Sequence, residues 1–117
     1  MWEIVLLDEV EDWFLRLVKD QDPLAEHIQA AVNQLEQVGP SLGRPTADSI
    51  KGSRIHNLKE LRASTVRILF VFDPARNAVL LVAGDKAGRW SDWYGTSIPV
   101  AEERYERWLA GDYDEEA

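Results

Sequence analysis

Residues 55–88 read IHNLKELRASTVRILFVFDPARNAVLLVAGDKAG, and the way this stretch divides decides the fold. It separates into IHNLKELRA, TVRILFVFD and AVLLVAGD. The last two runs are dense in Val, Ile, Leu and Phe, as strands at the centre of a sheet are. The joints are short: Ala63-Ser64-Thr65 in the first case and Pro74-Ala75-Arg76-Asn77 in the second. Parallel strands need a long crossover, so connections this tight predict an antiparallel meander of three strands.

Working outward, residues 2–7 (WEIVLL) read as a further strand. Asp8 with Glu11 three residues on resembles a capping box opening a helix near residues 9–19, whose apolar stripe is Val10, Trp13, Phe14 and Leu17. Asp22-Pro23 is a second start signal and Gly39-Pro40 a stop signal. Between them Leu24, Ile28, Ala31, Leu35 and Val38 keep a helical period, so the two helices form a hairpin. Residues 41–53 (SLGRPTADSIKGS) and 85–98 (DKAGRWSDWYGTSI) read as loops. Residues 99–109 read as a final helix with Val100, Tyr105 and Trp108 inward, and residues 112–117 as an acidic tail. The expected fold is α+β, in the order β-α-α-β-β-β-α: an antiparallel sheet packed against a helical hairpin plus a C-terminal helix. One domain is expected over residues 1–111.

Composition removes several functional classes. With no cysteine in 117 residues, disulfides, thiolate zinc sites and cysteine nucleophiles are excluded. The chain has no GxxxxGK[ST], GxGxxG, HExxH or GxSxG, and His27 and His56 are its only histidines, which makes a histidine-based metal site an unpromising reading. No apolar run approaches the roughly 18 to 20 residues of a membrane-spanning helix. The N-terminus lacks the basic start of a secretory signal. A soluble, cytoplasmic protein with no membrane partner is expected.

The net charge of −8 argues against nucleic acid until its distribution is considered. Residues 1–40 carry two basic and nine acidic side chains, and residues 91–117 carry two and eight. Residues 41–90 carry nine basic (Arg44, Lys51, Arg54, Lys59, Arg62, Arg67, Arg76, Lys86, Arg89) against four acidic. A positive segment thus lies between two negative ones. Across the tight turn, antiparallel pairing brings Arg62 close to Arg67, and two like charges side by side repel unless an anion satisfies them. Lys86 leaves the last strand, while Lys51 and Arg54 approach from the preceding loop. Such cations suit a phosphodiester, whose cleavage gathers charge on non-bridging oxygens. Pairing of Arg62 with Glu60 or another surface acid explains the same spacing equally well.

The segment LKELRASTVRILFVFDPARNAVLLVAGDKAG resembles the sheet of RelE/ParE-type toxins of type II toxin–antitoxin systems, closest to their phage-derived HigB branch. The correspondence lies in the KG step Lys51-Gly52, the LxELR strand Leu58 to Arg62, the aliphatic strand opening at Arg67, and the third strand ending at a Gly-containing turn with Lys86. The resemblance covers almost the whole chain. It implies a RelE-like fold and a ribosome-dependent endoribonuclease that cleaves messenger RNA without metal or other cofactor, the RNA's own 2′-OH attacking the adjacent phosphate. It also implies a helix-turn-helix, HigA-like antitoxin as partner. Carried over, Arg62 and Arg67 meet transition-state charge, and Lys51 or Lys86 positions phosphate or transfers a proton. Arg54, Lys59, Arg89 and Trp90 are candidate RNA contacts, and His56, Trp90 and Tyr94 candidate proton carriers or stacking platforms. The same fold serves ParE-like inhibitors of DNA gyrase, and an inactive antitoxin-binding domain is a third reading.

Overall fold

The computed structural model describes residues 2–87 and 90–113. The meander forms as its short connections require: β3 (Lys59–Ala63), β4 (Val66–Phe72) and β5 (Asn77–Asp85) pair antiparallel. A two-residue turn joins β3 to β4, with Ser64 at φ 57°. The β4–β5 turn is held by Asp73, whose Oδ1 accepts the amides of Ala75 and Asn77. β1 (Glu3–Leu6) adds to the far edge of β5 in parallel, so the sheet is mixed.

One strand was not expected. Within the polar loop of residues 41–53, β2 (Ala47–Ser49) pairs antiparallel with β3, completing a five-stranded sheet in the order β1-β5-β4-β3-β2. It is a three-residue edge strand, too short to show a period.

On one face lies the helical hairpin, α1 (Asp8–Lys19) and α2 (Leu24–Val38). Val10, Ile28, Ala31 and Leu35 are buried against Leu61, Ala63, Val66, Ile68, Phe70 and Leu80, with Trp13, Phe14 and Leu17 packed around them. The expected capping box at Asp8 does not form: Leu7 occupies the cap position without a side-chain bond, and Asp8 is already helical. Asp8, Glu9 and Glu11 instead sit in the first turn, where the helix dipole favours carboxylates. Asp22 does act as the start signal of α2, its Oδ1 accepting the Leu24 amide at 3.0 Å. Gly39 ends α2 at φ 67°, and a Cβ there would stand 2.5 Å from the Trp2 indole, so glycine serves both the backbone turn and the close approach.

The other face is covered by α3, and here the sequence reading needs its largest correction. The helix spans Trp90–Leu109, so residues 90–98, expected as loop, are its first turns and Pro99 lies inside it. Proline cannot donate to the carbonyl four residues back. That carbonyl belongs to Gly95, and both residues are exposed, so the lost bond is not a buried one. Packing supplies what local propensity lacks: Tyr94, Ile98, Ala101, Tyr105 and Trp108 fall on one stripe over Leu58, Leu69, Val71, Val79 and Leu81. Apolar side chains on both faces of β4 and β5 are therefore buried, which explains their nearly continuous hydrophobic runs. Among the described residues no helix is long and apolar enough to cross a membrane.

Candidate cationic site

The site is built on the β3–β4 hairpin. Register pairs Arg62 directly with Arg67, and Arg67 in turn with Gly84 on β5. Because side chains alternate along a strand, Glu60, Arg62 and Arg67 all point to the α3 face.

Glu60 is the hub. It is 4% exposed, and its two oxygens take different partners. Oε2 accepts Arg62 Nε at 3.0 Å and Nη2 at 2.9 Å. Oε1 accepts the Tyr94 hydroxyl and lies 3.9 Å from Arg67 Nε. Arg62 Nη2 also donates to Asp48 Oδ2 on β2 at 3.2 Å. Arg67 Nη1 donates to the carbonyls of Ser64 and Val66, at 2.7 and 3.0 Å, which ties its guanidinium to the hairpin turn.

Lys86 follows β5, its amide donating to the Thr65 carbonyl at 3.1 Å. Its side chain is buried at 1% exposure. Burial pushes the ammonium below its ordinary value; Arg67 and Arg62 push the same way and Glu60 opposes them. The hydrogen bond to Glu60 raises the Arg62 guanidinium further above neutrality. Tyr94 is pushed up to about 12, by burial first and then by its bond to Glu60, so its phenol keeps its proton at neutral pH.

The first turns of α3 reach the sheet because β5 carries glycine there: a Cβ on Gly84 would lie 2.3 Å from Trp93 Nε1. Trp93 in turn holds Tyr94 in an edge contact, ring centroids 5.1 Å apart.

Arg62, Arg67 and Lys86 are thus brought together. Lys51 is exposed on the loop before β3, beside Gly52, which lines a cleft with Tyr94. Arg54 lies elsewhere: it bridges to α3, with Nη1 3.2 Å from Glu102 and Nη2 2.7 Å from Glu106. Lys59 is opposite Phe70, on the face of the helical hairpin. His56 is exposed in a groove with Arg54 and Tyr105. Arg89 and the side chain of Trp90 lie outside the described residues. The sequence reading saw Glu60 only as a surface partner for Arg62. The two-residue spacing in KELR does put both on one face, but burial of that face depended on α3 beginning nine residues earlier than expected.

A mixed five-stranded sheet between a helical hairpin and a C-terminal helix is an α+β architecture consistent with a RelE-like fold. Comparison with known proteins narrows this. Residues 12–106 match the family described as phage derived protein Gp49-like (DUF891). The chain is 48% identical over 112 residues to "Putative toxin HigB3" of Mycobacterium tuberculosis, covering 94% of this chain and 96% of that one. It is 51% identical over 90 residues to "Putative toxin HigB2" of the same organism, covering 73% of this chain and 45% of that longer protein. No solved structure matches the chain. The chain belongs to the Gp49-like phage-derived family, among the HigB-like toxins of toxin–antitoxin systems.

Proposed function

We propose that this toxin is a ribosome-dependent endoribonuclease that cuts messenger RNA, and that the Arg62–Arg67 pair receives the scissile phosphate. The observation that carries the reading is the placement of two guanidinium groups opposite each other on one face, with a buried ammonium beside them. Glu60 and the more exposed Asp48 pair with Arg62, and Glu60 also approaches Arg67. Fixed positive charge of this kind stabilises a phosphorane-like transition state without reorganisation.

In the reaction the 2′-hydroxyl gives up its proton as its oxygen bonds to phosphorus, and the bond to the 5′-oxygen breaks as that oxygen takes up a proton, leaving a cyclic phosphate and a 5′-hydroxyl. Arg62, one-third exposed, is the guanidinium open to the non-bridging oxygens, and Arg67 supports it from the turn. Lys86 contributes field from beneath, and exposed Lys51 steers the phosphate from the rim. Arg54, with 63% of its side chain exposed, is placed to meet RNA backbone beyond the site, whereas Lys59 would meet it only on the opposite face. A helix-turn-helix antitoxin keeps the toxin silent in the cytoplasm.

The test is induction without antitoxin followed by primer extension on cellular messages. Cuts confined to translated frames support the reading. Intact messages with DNA damage would replace it by gyrase inhibition, and intact messages without damage by an inactive antitoxin-binding role.

A further inference from the structure

Beside the cationic cluster lies a cleft whose chemistry is different. It is lined by Gly52, Tyr94, Gly95, Ile98, Pro99 and Glu102. Ile98 and Pro99 give it an apolar wall, and Tyr94 an aromatic one. Gly52 and Gly95 present no side chain to it, and a Cβ at either would stand in open space. At its rim Glu102 is held by the Ser53 hydroxyl and the Arg54 amide, both 2.8 Å from Oε2. Tyr94 belongs to both places: its ring borders the cleft while its hydroxyl donates to Glu60, the carboxylate that holds Arg62 and approaches Arg67. One tyrosine side chain therefore separates an open, partly aromatic slot from a phosphate-sized cation pair.

We propose that this cleft is a nucleobase subsite, taking the base of the nucleotide whose phosphate the Arg62–Arg67 pair holds. The inference rests on the nuclease reading and extends it. Apolar and aromatic walls reward a planar base by desolvation and stacking, whichever base it is. Trp93, wedged against Gly84, fixes the ring that forms the shared wall.

The test uses the full chain and a synthetic RNA tetranucleotide blocked at its central 2′-oxygen by methylation, beside the same oligonucleotide lacking the base at that position. At low salt the intact oligonucleotide is expected to bind wild type about tenfold more tightly than the abasic one. Gly95→Leu places a side chain in the open cleft at an exposed helical position, where leucine favours the helix. It is expected to bring the intact oligonucleotide down to the affinity of the abasic one. Equal affinities in wild type, or a preference that survives in Gly95→Leu, would overturn the subsite alone. Failure of wild type to bind either oligonucleotide would likewise overturn the subsite, while the nuclease reading stands or falls on the primer extension above.

Discussion

Arg62 and Arg67 face each other across the β3–β4 ladder, and Glu60 divides its carboxylate between them, Oε2 to the first and Oε1 towards the second. Like charges in that position are otherwise destabilising. The pairing that competed with an anion site at the level of sequence is present, and the buried Lys86 lies within the field of the same three groups.

Arg67→Ala is expected to abolish growth arrest while leaving the chain folded. Loss of one charge-stabilising donor costs about a hundredfold or more in rate. Its two bonds to turn carbonyls cost about 1–2 kcal/mol of stability. Colony counts after induction, beside a thermal melt, separate the two effects; undiminished toxicity in a folded variant would remove Arg67 from the mechanism.

Glu60→Ala leaves Arg62, Arg67 and Lys86 without their buried carboxylate. Removing one partner of a buried ion pair costs about 3 kcal/mol. Urea denaturation measures this. Glu60→Ala combined with Arg67→Met is expected to be less destabilised than the sum of the single changes, because the pair couples; simple additivity would mean that the two groups do not interact.

Gly84→Val tests the approach of α3 to the sheet. The new side chain collides with Trp93, and overpacking of this kind costs about 1–3 kcal/mol. The melting temperature should fall, and cleavage should fall with it as Tyr94 is displaced from Glu60. A variant as stable and active as wild type would show that the contact is dispensable.

Tyr94 sets a pH dependence at the alkaline end. Its folded-state value, about 12, lies above the unfolded value near 10, so the folded chain retains a proton that the unfolded chain loses. The stabilisation is complete below pH 10 and is lost as pH rises towards 12. The stability difference between wild type and Tyr94→Phe should therefore shrink across that window; a difference independent of pH would contradict the buried Tyr94–Glu60 bond.

Strands β3 to β5 and the helical hairpin were legible because hydrophobic period and turn residues agreed over long stretches, and the Arg62–Arg67 pairing followed from the short turn. β2 carried no signal, being three residues whose strand state depends on β3. The first turns of α3 read as loop because residues 85–98 are rich in Gly, Trp and Tyr, and Pro99 reads as the start of a helix rather than its interior. The positions 94, 98, 101, 105 and 108 nonetheless keep helical spacing across the proline, and a longer window would have joined them. Missing that helix also hid the burial of Glu60, since α3 is what covers it.

The chemistry itself is tested most directly on purified ribosomes programmed with a message carrying either ribose or 2′-deoxyribose at the cleavage position in the A-site codon. The account requires wild-type toxin to cut the ribose message, leaving a 2′,3′-cyclic phosphate, to spare the deoxyribose one, and Arg67→Ala to cut neither. Cleavage of the deoxyribose message, or a ribose message left whole by wild-type toxin, would contradict it.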